Sequence, residues 1–269
     1  MIPYVICNPK NLIPNPVYRN KSAGPRVLSK LAVELKKRGA EAFLSDEITE
    51  KQIVEIMEAG GIAVYHENQP VNAFRSSRCV GYVLGEWNVP RFNNFCDEVF
   101  FYHAALGEGS RMTISVLERD LFNDKNLPEK KYNTLYGGKG DILGFIGLNV
   151  ENQKYITLDS PSKREDVAKL LRESICVYSV DHASLLFDEA RLCGTPVVYI
   201  PSSFSNWERA LKINKSKMGG FGLTYDEALA TLTEFKEQYD EFFNVEREVK
   251  EIDAFFETTQ KMEAKCPTL

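Results

Sequence analysis

Residues 175–201 read Ile-Cys-Val-Tyr-Ser-Val-Asp-His-Ala-Ser-Leu-Leu-Phe-Asp-Glu-Ala-Arg-Leu-Cys-Gly-Thr-Pro-Val-Val-Tyr-Ile-Pro. Ile175 to Tyr178 is a short apolar run with β-branched members, as in a strand buried on both faces. Ser179 to His182 interrupts it with small and polar side chains. Leu185, Leu186, Ala190 and Cys193 then recur at helical spacing, and Gly194 stands where a helix C-cap glycine belongs. Pro196 stops the helix, and Val197 to Ile200 is a second apolar strand. The stretch is a β-α-β unit. Such a unit carries its first loop and helix N-terminus to the carboxyl end of a parallel sheet, where open α/β proteins bind ligands. The amides of Ala183 and Ser184 would face an anion there, with His182 beside them.

The flanking sequence extends the pattern in both directions. Pro3 to Cys7 is an apolar strand, followed by a polar loop to Gly24. A helix starts near Pro25 with Val27, Leu28, Leu31 and Leu35 on one stripe, and Gly39 closes it. Ala42 to Leu44 is a strand, Lys51 to Glu58 a helix, and Gly61 to Tyr65 a further strand. His66 and Glu67 follow at its mouth, a place where polar side chains meet ligands. An ordinary hydrogen-bonded loop histidine remains the alternative for His66, as it does for His103 after the Cys96 to Tyr102 run. Val80 to Leu84 is another strand. The polar stretch 107–131 marks a domain boundary, which divides the chain into residues 1–125 and 126–269. Beyond it, Asn133 to Asp141 holds the glycine turn Gly138-Lys139-Gly140, whose amides and lysine suit a phosphate. A helix is expected over Lys163 to Glu173. Leu229, Leu232, Phe235, Tyr239 and Phe242 form one helical stripe, repeated by Val249, Ile252, Phe255 and Phe256.

The chain has 269 residues, 43% of them apolar, and a net charge of −5. This length suffices for one large or two small domains with real cores. The acidic balance leaves no footprint for nucleic acid. Six cysteines are scattered without a C-x-x-C pair, which favours buried reduced thiols over disulfides or zinc. Neither a signal peptide nor an apolar run of about 20 residues is evident, so a soluble cytoplasmic protein is expected. Peripheral contact with a membrane stays open.

Asp181 and Glu189 are acids separated by seven residues, followed by Ala190, Gly194, Pro196 and Val197. This resembles the nucleotide-sugar signature of GT-B glycosyltransferases, an acid, seven residues and a second acid before Ala-x-x-x-Gly-x-Pro-Val. Tyr65-His66-Glu67, Gln69-Pro70-Val71 and Gly138-Lys139-Gly140 resemble corresponding turns of a bacterial polysaccharide and lipopolysaccharide subfamily. The resemblance departs from the pattern at Asp181, where retaining members usually carry Glu, at His66, where Pro is usual, and at Gly138, where Arg is usual. It implies an α/β fold of two Rossmann-like lobes with parallel sheets facing a central cleft, the C-terminal helices crossing back to the first lobe. It implies a transferase of polysaccharide biosynthesis that moves a sugar from a nucleotide-sugar to a glycan or lipid-linked acceptor. No cofactor or metal would be bound, the nucleotide-diphosphate-sugar being a co-substrate. Glu189 would hold the ribose; Gly138, Lys139, Gly140, His182, Ala183 and Ser184 would meet the diphosphate and sugar. His66, Glu67 and Asp181 would be the catalytic candidates.

Two other readings stay open. One is a non-catalytic two-lobed protein that binds a nucleotide or sugar. The other is a nicotinamide-dependent oxidoreductase, since Gly138-x-Gly140-x-x-x-Gly144 with Asp159 imitates a dinucleotide fingerprint. That fingerprint requires a full helix between loop and acid, and Phe145 to Gln153 is too short and glycine-broken to supply it.

Overall fold

The computed structural model describes residues 1–8, 23–67, 69, 71–85, 95–102, 106–138, 145–157, 160–181, 184–201, 208 and 219–265, without the side chains of 236, 241 and 242. In chain order the elements begin with β1 (Tyr4–Ile6), α1 (Ala23–Lys37), β2 (Ala42–Leu44), α2 (Glu50–Glu58), β3 (Ile62–His66), β4 (Arg78–Val83), β5 (Glu98–Phe101) and β6 (Ser110–Arg111). They continue with β7 (Tyr132–Tyr136), β8 (Gln153–Ile156), α3 (Arg164–Glu173), β9 (Ser174–Ser179), α4 (Leu185–Leu192), β10 (Val197–Tyr199) and β11 (Phe221–Gly222). Three helices close the chain, α5 (Tyr225–Ala230), α6 (Leu232–Phe242) and α7 (Val245–Gln260). Two compact units result. One takes in the described parts of Met1–Pro14, Gly24–Val116 and Phe243–Leu269, and the other is built on Leu117–Phe242.

The first unit holds a parallel sheet in the order β2-β1-β3-β4-β5-β6. Successive strand residues point to opposite faces, so β1, β3, β4 and β5 each feed two cores. Tyr4, Ile6, Val64, Val80 and Tyr82 pack with Leu28, Leu31 and Leu35 of α1 and with Ile252 and Phe255 of α7. Val5, Ala63, Tyr65, Cys79 and Val83 pack with Ile53 and Met57 of α2 on the other side. Both faces are covered, which is why the strands read as unbroken apolar runs.

The helix ends follow from local chemistry. Thr49 and Gln52 form a reciprocal capping box at the start of α2. Asn244 accepts a hydrogen bond from the Arg247 amide to start α7. The last helix is tied to the first strand: Tyr4 Oη lies 2.6 Å from Thr259 Oγ1, and Gln260 Nε2 donates to Tyr4 Oη at 3.0 Å. A fully buried tyrosine thereby satisfies its hydroxyl.

The second unit holds a parallel sheet in the order β11-β10-β9-β7-β8. Tyr136, Val177, Val197, Tyr199 and Phe221 supply its main core, together with Leu171 of α3 and Phe187 and Ala190 of α4. Inside this unit Arg191 is fully buried. It pairs with Asp188, donates to the Gly219 carbonyl at 2.7 Å and stacks over the Phe235 ring at 4.4 Å. Five cysteines among the described residues are free thiols.

Several expectations are corrected. His66 is the last residue of β3, paired with Tyr82, and not the first residue of the turn after the strand. The stripe expected as one helix through Leu229 and Phe242 is two helices, α5 and α6, divided at Thr231. Thr231 leaves the helix because its side chain and backbone are engaged elsewhere. Its hydroxyl accepts from the Gly220 amide at 2.9 Å, and its carbonyl packs against Gly219. Phe221 and Gly222 form the edge strand β11. Residues 145–152 contain no α-helix, so the helix that a dinucleotide fingerprint requires is missing from them. No helix among the described residues is long and apolar enough to cross a membrane.

Candidate functional site

In the second unit the chain leaves β7 toward β8 on one side and leaves β9 toward β10 on the other. The carboxyl ends of β7 and β9 therefore border a topological switch point, the crevice where doubly wound sheets bind ligands. Tyr136 and Ser179 end these strands and are paired in register. Ser179 Oγ donates to the Tyr136 carbonyl at 3.0 Å and accepts from the Asp181 amide at 3.0 Å, which turns the chain back over β7.

Gly138 and Asp181 meet at this point. Gly138 has φ +56°, and a Cβ added to it would lie 2.8 Å from Asp181 Cβ and Cγ and closer still to Oδ2. Only glycine gives the backbone both the left-handed conformation and the room. Asp181 is buried, with 5% of its surface exposed. Beside it Ser184 caps α4, its Oγ accepting from the Leu186 amide, and Tyr136 Oη reaches the same Oγ at 3.1 Å. Gly138 with Asp181, and Tyr136 with Ser184, are thus two contacting pairs at the carboxyl ends of β7 and β9, where α4 begins.

Glu189 sits one turn further along α4 and is only 1% exposed. Both of its carboxylate oxygens accept from Arg164 at the start of α3, Oε2 from Nη1 at 3.1 Å and Oε1 from Nη2. Arg164 also donates from Nε to Glu118 at 2.8 Å and lies 4.5 Å over the Phe122 ring. Burial on its own would lower the Arg164 pKa; the hydrogen bond and charge of Glu189, then those of Glu118, outweigh it and raise the value. Glu189 is therefore not a solvated surface residue of α4. Lys139, Gly140, His182 and Ala183 lie outside the described residues, as do His103 and Asp159.

The first unit has a switch point of its own, between β1 and β3. His66 and Glu67 are both buried there. Glu67 Oε2 accepts from the Leu84 amide at 3.0 Å, which fixes the carboxylate across the end of β4. On the β1 side, Asn8 donates from its amide to Ser45 Oγ and from Nδ2 to Asp46 Oδ1, each at 3.0 Å. Asn8 Oδ1 is buried and accepts no hydrogen bond among the described residues. Arg78 does not join this edge; it donates to the Gly60 and Met262 carbonyls at the amino-terminal side of the sheet.

Sequence reasoning missed Tyr136, Arg164 and Asn8. Asn8 was accessible to a simple rule, being the first polar residue after a buried strand. Arg164 had no such signal, since its partner lies 25 residues away on another helix. Among the described residues, no group of three or more His, Cys, Asp or Glu side chains is arranged to hold a metal ion.

Neither a protein-family profile nor a curated protein matches the chain. Among solved structures it is similar to the glycosyltransferase SnogD from Streptomyces nogalater, at 11% sequence identity and a TM-score of 0.37 over 96% of this chain and 97% of that one.

Proposed function

We propose that this chain transfers a sugar from a nucleotide-sugar donor to a glycan or lipid-linked saccharide acceptor, with no bound cofactor or metal. The observation that carries the reading is the crevice at the β7–β9 switch point. There a glycine that tolerates no side chain stands opposite a buried aspartate, beside the capped N-terminus of α4. In this reading the glycine lets the Asp181 side chain close against the turn and face the donor sugar, while the amide end of a helix suits the anion.

In this reading the donor diphosphate lies along Gly138, Lys139 and Gly140 and the amides of Ala183 and Ser184. These groups stabilise the leaving diphosphate as the glycosidic bond to it breaks. Glu189 accepts hydrogen bonds from the ribose hydroxyls. Asp181 and His182 address the donor sugar, and His66 and Glu67 serve the acceptor hydroxyl, whose proton must be taken as it attacks. The work belongs to polysaccharide assembly on the cytoplasmic side.

A thermal-shift panel of UDP-, GDP-, ADP- and TDP-sugars tests the proposal. A donor at 100 times its Kd adds about 2.7 kcal/mol to stability. For a chain of this size that is an upward shift of about 5–10 °C. Release of free nucleoside diphosphate in the presence of saccharide would mark an enzyme and separate it from a mere binder. Failure of all four donor classes to raise the melting temperature contradicts the proposal.

A further inference from the structure

Past β6 the chain runs without regular structure through residues 112–116, then enters the second unit at Leu117. Met112 still belongs to the sheet edge, its amide donating to the Phe101 carbonyl at 2.9 Å. From Thr113 on, charged side chains stand where a neighbouring strand would. The Thr113 amide donates to Glu251 Oε2 at 2.7 Å, and the Ser115 amide to Glu248 Oε2 at 3.1 Å. Lys30 of α1 donates to the Ser115 carbonyl at 2.8 Å, and Arg26 to the Val116 carbonyl. Lys30 also pairs with Glu248, and Arg247 donates to Glu251 Oε1 at 2.9 Å. A helix spends its own carbonyls internally, so α7 can serve these amides only through side chains. Glu248 and Glu251 lie three residues apart on one helical face and meet amides two residues apart, the later glutamate taking the earlier amide. Both carboxylates are mostly buried, which limits competition from water and salt.

We infer that α7 is a clip on this strap. Its first two turns hold residues 112–116 against the first unit, and strap and helix turns come off and re-dock together as one cooperative piece. Docked, the outgoing chain is held as far as Val116. Undocked, residues 112–116 join the free connector and extend its reach by about 17 Å. The slack of the outgoing chain is thus set from far along the sequence, Thr113 and Glu251 being 138 positions apart. The inference is independent of the nucleotide-sugar reading.

Hydrogen–deuterium exchange on the full chain, read by peptide mass spectrometry, is the test. Glu248→Ala combined with Glu251→Ala should speed exchange in 112–116 and in 245–252 by about 10-fold or more and by similar factors, through loss of two hydrogen bonds to charged acceptors. Reference peptides 62–66 and 174–179 should change by less than about 2-fold. Lys30→Met is milder, loosening Glu248 and the Ser115 carbonyl, and should speed the same two segments about 3-fold. Lys37→Met breaks the Lys37–Glu34 pair elsewhere on α1 and should leave both segments as they were. No change at 112–116 in the double variant would mean that buried Met112 and Ile114 hold the strap alone, which overturns the inference. Acceleration of 112–116 with 245–252 unmoved overturns it too, as does a wild-type strap that exchanges like unstructured chain. If the double variant speeds every peptide alike, Lys30→Met decides, and a uniform rise there also overturns the inference.

Discussion

Asp181 and Gly138 stand in contact across the carboxyl edge of the second sheet, the aspartate side chain filling the space that a Cβ on Gly138 would need. The sheet order brings the two together, since the strands that precede them are hydrogen-bonded neighbours. Gly138→Ala should therefore cost about 1–3 kcal/mol, combining a left-handed alanine with displacement of Asp181. Adding Asp181→Gly should recover part of that loss, because the collision is removed and only the backbone strain remains. Urea unfolding of the two single variants and the double variant measures the coupling. Strict additivity would mean that the two residues do not meet.

The buried pair on α4 carries a larger penalty. Arg191 and Asp188 are both inside the second unit, and desolvation lowers the Arg191 pKa below its ordinary value despite the Asp188 charge. Arg191→Met removes one partner and strands the other, at a cost of about 3–5 kcal/mol. Arg191→Met with Asp188→Leu should be less destabilised than Arg191→Met alone, since no charge is then left unpaired. Denaturant midpoints decide the order.

Removal of the Phe255 side chain tests how α7 is held. Phe255 is fully buried, its ring 4.7 Å from Phe100 and 6.3 Å from Tyr4. Phe255→Ala should cost about 3–5 kcal/mol. Thr259→Val, which takes one partner from the Tyr4 hydroxyl but leaves Gln260, should cost only about 1 kcal/mol. Similar losses for both would mean that the hydroxyl network holds the helix as firmly as the apolar contact does.

The thiols give a pH prediction. Burial pushes Cys7, Cys79, Cys176 and Cys193 from the ordinary value of 9.0 up to about 12. A raised folded pKa means that the native state keeps protons the unfolded chain releases. Their contribution to stability is full below pH 9.0 and is lost as pH rises toward about 12. Iodoacetamide at neutral pH should leave these four unmodified in the native protein and label them on unfolding. Rapid native labelling of Cys176 or Cys193, read by mass spectrometry, would contradict this.

Much of the architecture was legible because parallel strands covered on both faces are apolar throughout. Runs such as Tyr4–Ile6, Ile62–Tyr65 and Val197–Tyr199 have few other uses. Less legible was whatever depends on distant partners. Thr231 looks like an ordinary helix residue until the Gly219–Gly220 turn is packed against it, and so the stripe from Leu229 to Phe242 was read as continuous. Periodicity cannot show such a break. The same holds at the site. Gly138 and Asp181 were each singled out, yet their contact follows only from the strand order. Glu189 stands out in the sequence by its spacing from Asp181, while its engagement with Arg164 depends on how α3 packs against α4.

The central claim is that a nucleoside diphosphate binds at the β7–β9 switch point, and hydrogen–deuterium exchange locates such binding directly. UDP, GDP and ADP, each at about 1 mM to saturate sites of micromolar Kd, would be added to the full chain and peptide exchange compared with the free protein. The account predicts that at least one of them slows exchange in the peptides covering 136–138 and 184–187, with little change across 98–101 and 245–260. Protection by all three confined to other segments, or no protection by any, would contradict it.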